Sequence, residues 1–543
     1  MRKKLMVPAI LVILITLLMP APVLAADATI SAGGSYEIDT LYGDSSTITI
    51  ATTDAVTLTQ SDSSTALEDF QIVYSVEGAN LEINGINIDN SLYNSRCSLS
   101  FIDEALIDLT NTLTVVGTNT LISGDDEPGI RVERTTNLTI EGSSTSELNA
   151  TGGSSSAGIG SGHSINGGYI TILSGTIYAY NGEFAAAIGG GFNGNGGNIT
   201  IAGGTVWAAS DSRGAAIGGG LLENGGTINI TGGTVYASST DLGAAIGGGL
   251  NGSGGTINLL GGTIYATSSD LPAAIGGGHI GNGGNITIDG STVIATSGLN
   301  GAAIGGGTSG DGGTIDIQSG RVEATSGTYG AGIGGGRDGN GGDVTITGGE
   351  IFADGGRYDI GPGDTGMSGT INISSDSAVF LRNNMMPSFT TITHTFFDTE
   401  VISGGRAYGY IMPSGWSGTA YAYLLSYNVT YTAGVNGSLS AGSSTMEIVY
   451  SGGSPQNEPE VKANTGYMFI GWSDGAIRSF DLSQFIITSN TTLVAEFIQA
   501  NPKTGNSIIL WQNKTLGIYI LLLLISIASV ALCYRHHHRR LKR

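Results

Sequence analysis

Few residues in this 543-residue chain are of types and spacings that could do chemistry. Asp125-Asp126 and His163 come nearest to an acid/base set. One carboxyl that protonates a leaving oxygen and a second group that activates water are the minimum for cleaving a glycosidic bond. Arg213, Arg321, Arg337 and Arg357 could serve as the base of an elimination beside carboxylate-held calcium. They are scattered, however, and no carboxylate column accompanies them, so Ca2+ has no motif here. Phrases reading Ile-Gly-Gly-Gly partly match phosphate-cradling loops, but no helical pattern follows them. The six His and two Cys form no ligand cluster with metal spacing. The remaining candidates are Tyr178, Trp207, Tyr236 and Tyr265, aromatic residues recurring every 29 positions. Rigid amphipathic rings in a row suit the apolar faces of flat ligands, sugars included. No cofactor and no metal follow from these residues, and the chain is read as non-catalytic.

The elements that must position these side chains are legible as a repeat. The isoleucine of a Gly-Ile-Gly-Gly-like phrase falls at Ile159, Ile188, Ile217, Ile246, Ile275, Ile304 and Ile333, always 29 residues apart. Ile130 fits one step earlier, and Ile360 follows after 27. A fixed period in this range marks a solenoid whose units bury their apolar faces only by stacking on neighbours. Glycine is 91 of 543 residues and proline only 11, which suits strands and tight turns.

Each repeat carries two clear strand patterns. Tyr169-Ile-Thr-Ile172, Asn198-Ile-Thr-Ile201 and Thr227-Ile-Asn-Ile230 alternate aliphatic and polar residues. Thr176-Ile-Tyr-Ala179, Thr205-Val-Trp-Ala208 and Thr234-Val-Tyr-Ala237 do the same, with Ile/Val and Ala inward. Ala187-Ile188-Gly189 predicts a third, shorter strand. Three strands and three turns in 29 residues make one coil of a right-handed parallel β-helix. On the second strand the outward column reads Tyr178, Trp207, Tyr236, Tyr265, Ile294, Glu323 and Phe352. Rings in consecutive coils then stand ~4.8 Å apart. Two roles are open for them: mutual stacking for stability, or a binding face. Asn166, Asn195, Asn224, Asn282 and Asn340, with Ser253 and Asp311 substituting, each precede Gly-Gly. They predict tight turns, since Asn tolerates the left-handed conformation and Gly takes positive φ without steric cost, and a ladder of side-chain hydrogen bonds along the axis.

The chain divides as follows. Residues 1–25 carry Arg2-Lys3-Lys4, an apolar run and Ala-Pro-Val-Leu-Ala, the pattern of a secretory signal peptide. Residues 26–124 read as an N-terminal cap with irregular coils, 125–373 as the regular β-helix, and 374–427 as a C-terminal cap or connector. Between Asp27 and Thr504 lie 12 Lys/Arg against 44 Asp/Glu, a formal −32. That disfavours nucleic acid and anionic membrane as partners. Cys97 and Cys533 are the only cysteines, so stability rests on stacking rather than on disulfides.

Three resemblances add to this. Asn501-Pro502-Lys503-Thr504-Gly505, an apolar run over 516–534 and a basic tail from Arg535 to Arg543 stand in the order of a Gram-positive sortase sorting signal. The apolar run, roughly 28 Å as a helix, is long enough to span a bilayer. The resemblance implies cleavage between Thr504 and Gly505 and transfer of the protein to peptidoglycan. Asn501 stands where the commonest motif has Leu, which leaves the sortase class open. Residues 428–498, with Tyr467, Phe469, Gly471-Trp472 and the closing Ala495-Glu-Phe497, resemble the internalin-type B-repeat, a β-grasp-like module that in that family serves mostly as a stalk; Trp472 is read as core. The coils themselves resemble β-helix repeat proteins of Firmicute surfaces, some of them carbohydrate-binding. The whole therefore reads as an all-β, wall-anchored adhesin or carbohydrate-binding protein, a single-pass membrane precursor before sorting. Its partners would be peptidoglycan, through a sortase, and a polysaccharide or a host or neighbour surface. The alternatives are a polysaccharide-degrading enzyme of pectate lyase or polygalacturonase type, and a structural spacer.

Overall fold

A computed structural model describes residues 27–500, apart from 42–45, 77, 102–109, 375, 384–385, 388–390, 393–394, 402–405, 408–409, 415, 417 and 452. The expected signal peptide at 1–25, the sorting motif Asn501–Gly505 and the apolar run 516–534 lie outside the described residues. Among the described residues no helix is long and apolar enough to cross a membrane.

The first unit, which ends at Leu425, is a parallel β-solenoid of right-handed type. Among the described residues three long sheets run its length, with thirteen, thirteen and fourteen strands. Each regular coil gives one strand to each sheet. In the coil of Ile188 these are Ile188–Gly189, Asn198–Ile201 and Thr205–Ser210. The nine phrases from Ile130 to Ile360 supply nine consecutive strands of the short-strand sheet. The 27-residue step changes nothing in register, since Ile333 still pairs with Ile360. Four further strands of that sheet come from the aperiodic stretch before residue 124, so the irregular coils continue the same stack.

The inside is a set of identical columns. In one coil Ile188, Ile199, Ile201, Val206 and Ala208 are all buried, and their equivalents repeat this in every regular coil. A fully buried aliphatic side chain of this size contributes about 1.5–3 kcal/mol. Ordering a 29-residue coil costs more than any one of them. Burial is complete only when coils lie above and below, so stability belongs to the stack. Glycine is required where backbone meets backbone. Gly189 has φ 133°, and a Cβ there would overlap the Gly218 carbonyl oxygen of the next coil.

The turn ladder bonds along the axis, as expected, through side-chain oxygens. Asn166 Oδ1 accepts the Asn195 backbone N–H at 3.0 Å, Asn224 accepts that of Ser253 at 2.8 Å, and Asn282 that of Asp311 at 2.9 Å. These side chains mainly bond the backbone of the next coil, satisfying donors a turn would otherwise leave unpaired. In these turns positive φ falls on the second glycine, as at Gly197 with φ 77° and Gly226 with φ 73°. Among the described non-glycine residues of these turns it falls two positions before the ladder residue, at Ser164, Asn193, Leu222 and Asn251.

Past residue 373 the solenoid adds Thr391–Ile392, parallel to Thr370–Ile373, and Ser377–Leu381, parallel to Gly349–Asp354. Gly418–Leu424 then pairs antiparallel with Ser377–Leu381, and Thr395–Val401 pairs antiparallel outside that. Reversing the chain ends the stack and covers its last coils. Phe352, expected to face solvent, is for this reason only 1% exposed: it stacks on Phe380 at 5.0 Å and meets the edge of Trp416 at 6.0 Å.

The second unit begins at Ser426. Its five-stranded sheet has the order Met446–Tyr450, Ser426–Ala433, Thr491–Gln499, Tyr467–Ser473, Arg478–Ser479, and only the second and third of these run parallel. In place of the helix of a β-grasp outline there is a three-residue 3-10 turn, Leu482–Gln484, whose Leu482 enters the core. Trp472 is fully buried and donates Nε1–H to Glu458 at 3.2 Å, a structural arrangement.

Candidate binding face

The strands Thr176–Tyr180, Thr205–Ser210, Thr234–Ser239 and Thr263–Ser268 lie in consecutive coils of one sheet. Their register pairs Tyr178 with Trp207, Trp207 with Tyr236, and Tyr236 with Tyr265. Ile177, Val206, Val235 and Ile264 point inward, as do the alanines two positions on. Period-two alternation therefore forces the four rings outward. The structure brings together all four residues singled out from the sequence.

The ring centroids stand 6.3, 3.8 and 4.9 Å apart, with interplanar angles of 14°, 10° and 5°. The rings form a ladder, planes nearly parallel, with both faces of Trp207 and Tyr236 turned to a neighbouring ring. At one end Tyr178 is in register with Asn149, and at the other Tyr265 is in register with Ile294. Face-on stacking of a ligand along the row, the mode the sequence suggested, is thus closed to the inner rings. What the row offers to solvent is ring edges, and Trp207 is 41% exposed.

Beside the ladder runs a second outward column that the sequence reading left out: Tyr180, Ala209, Ser238 and Thr267, in register coil by coil. Three of these are small. They leave a trough of about 280 Å³, floored by that column and walled by the edges of the four rings. Its lining holds no carboxylate, imidazole, amine or guanidinium. Tyr180 was recoverable from the sequence, because Tyr178-Ala-Tyr180 continues the alternation to one more outward position. The trough was not, since it depends on Ala209 and Ser238 following Tyr180 in the same column.

The other candidates lie in turns or against aromatic rings. Asp125 and Asp126 lie in the turn before Ile130–Arg131, where Asp126 has φ 63° and Asp125 accepts from the Ser154 hydroxyl at 3.3 Å. His163 lies in the turn after Ile159–Gly160, its Nδ1 3.0 Å from the Ser164 hydroxyl and its ring 4.9 Å from Phe192. Each of the four scattered arginines covers an aromatic ring: Arg213 over Phe184 at 5.3 Å, Arg321 over Phe352 at 4.3 Å, Arg337 over Tyr329 at 5.0 Å and Arg357 over Tyr358 at 5.3 Å. Such contacts tie guanidinium groups to neighbouring rings. Among the described residues no three His, Cys, Asp or Glu are grouped to hold a metal.

Seven consecutive segments, residues 138–163, 164–192, 199–221, 228–250, 257–279, 286–308 and 312–337, match the family model of the beta helix repeat. These segments of the chain are beta helix repeats. The matched repeats contain the whole ladder and the trough. No curated protein and no solved structure matches the chain.

Proposed function

We propose that this beta-helix repeat protein is a non-catalytic, wall-anchored surface protein that binds a neutral polysaccharide on the face between Tyr178 and Tyr265. The trough beside the ring ladder carries this reading. It is apolar-walled and uncharged and offers the hydroxyls of Ser238, Thr267 and the tyrosines, a surface suited to the alternating C–H and O–H of a sugar. Its size is near the lower end for ligand pockets, which fits a short stretch of glycan rather than a protein surface. The formal −32 of the secreted stretch favours neutral glycans over uronic-acid polymers. The sorting-signal resemblance at Asn501–Gly505 and 516–534 supports a Gram-positive cell wall as the location, with the B-repeat-like unit holding the solenoid away from it.

On an array of neutral and uronic-acid glycans, the full chain is expected to be retained on neutral ones, and Trp207→Ala with Tyr236→Ala to lose that retention. An unchanged profile in the double variant sinks the assignment of the face. Release of unsaturated or reducing ends from pectin by the purified protein would return the enzyme reading. Thr504→Ala is expected to leave the protein in the membrane fraction and unlinked to peptidoglycan.

A further inference from the structure

We infer that the trough is blind at one end and recognises the end of a glycan chain, with Tyr180 as the platform for the terminal sugar. This rests on the glycan-binding reading above and adds its mode. The floor column reads Thr151, Tyr180, Ala209, Ser238, Thr267, Thr296 in successive coils. From Tyr180 to Thr267 is three coils, about 14 Å at one strand spacing each. A single bulky residue stands in that run, at its N-terminal end, and it is 42% exposed. Past Thr267 the column stays small with Thr296, and the aromatic wall gives way to Ile294, so the trough opens there.

Tyr180 also differs in kind from the ladder rings. Trp207 and Tyr236 have a ring as register neighbour on both sides and Tyr178 and Tyr265 on one, whereas the neighbours of Tyr180 are Thr151 and Ala209, neither aromatic. Its ring face is therefore not used up by a neighbouring ring, and on the Ala209 side it borders the trough. A sugar face needs one free aromatic face. Among the rings lining the trough, Tyr180 supplies it and the inner ladder rings do not. A chain running along the trough toward Tyr180 must stop there, because the small floor ends; a chain passing through would have to climb over the ring. The terminal sugar stacks on Tyr180, the next one or two lie against the ring edges of Trp207 and Tyr236, and the remainder leaves past Thr267.

End recognition makes capacity count chain ends, whereas mid-chain recognition makes it count mass. The full chain is titrated against a linear β-glucan, a linear mannan and an unsubstituted xylan, each whole and cut to about one tenth of its length at constant mass. For the polymer that binds, cutting is expected to raise the number of sites per gram about tenfold, as the number of ends does. In Tyr180→Ala, whose fold is checked by an unchanged unfolding midpoint, the blind end is opened. Sites per gram should then stop depending on chain length, while Tyr180→Phe keeps the wild-type dependence. Sites per gram unchanged by cutting in the wild type overturn end recognition and leave the glycan-binding reading standing. Binding of none of the three, whole or cut, overturns both. A Tyr180→Ala variant that still counts ends removes Tyr180 from the role.

Discussion

The same outward column of one sheet carries aromatic rings in two places, and they have opposite fates. Between Tyr178 and Tyr265 four rings stack in the open, with Trp207 41% exposed. At Phe352 and Phe380 two rings stack with nearly the same geometry, 5.0 Å apart at 8°, yet both are fully buried. The stacking geometry is alike, although the open rings are Tyr and Trp and the covered ones Phe. The cover differs: Trp416 and the reversed strand Gly418–Leu424 close over the second stack. An aromatic column on a β-solenoid is therefore a neutral device. Covered, it terminates the stack as added core. Uncovered, it is a surface with small neighbours and a trough beside it.

The most damaging test of this contrast is truncation of the covered ring. Phe352→Ala is expected to destabilise the solenoid by about 3–5 kcal/mol, the usual cost of emptying a buried aromatic site. Urea unfolding followed by circular dichroism measures it. A loss no larger than that from truncating an open ring would dissolve the distinction.

The sealed interior can be probed by pH as well. Burial pushes the Cys97 thiol up to about 11, while an exposed thiol titrates near 9. The neutral form is the one the fold accommodates. Stability from this group is therefore fully present below pH 9 and is lost as pH rises from 9 through 11. The loss approaches about 2–3 kcal/mol at the top of that window. Cys97→Ala should flatten the fall, and tyrosine ionisation, common to both proteins, cancels in the difference between them. Parallel curves for the two would mean that the thiol is not sealed.

The smallest stability effect belongs to the open ladder. Tyr236→Ala removes two ring contacts and is expected to cost about 0.5–1.5 kcal/mol. Glycan affinity should nevertheless fall by about tenfold or more, as for truncation of a central contact residue. A variant that loses stability and keeps affinity would make the open stack a structural twin of the covered one.

Much of this was legible in the chain itself. The 29-residue step of the isoleucines announced the solenoid, because only identical coils in register can line up identical residues. Period-two alternation placed Ile177 and Ala179 inside and Tyr178 outside, and the paired strands agree residue by residue. Phe352 was misread because alternation says which way a side chain leaves its strand and nothing of what lies over it. The cover comes from residues some sixty positions later in a segment without period. The ladder asparagines were legible as turn residues that bond along the axis, but not the backbone N–H that each one faces, because that partner stands in the next coil.

Sequence alone thus determined the coil, its three strands, its aliphatic inside and the outward aromatic row, since all of these follow from local alternation repeated at a constant step. Tertiary structure decided what that row is for. Stacking at one strand spacing turned the faces of the ladder rings toward one another. The succession Tyr180, Ala209, Ser238 and Thr267 left a trough with one closed end. The reversed strands near residue 420 covered one aromatic stack and left the other open to solvent. Each of these depends on what stands in the next coil or folds back over it, and contacts of that kind are set by distances in space rather than along the chain.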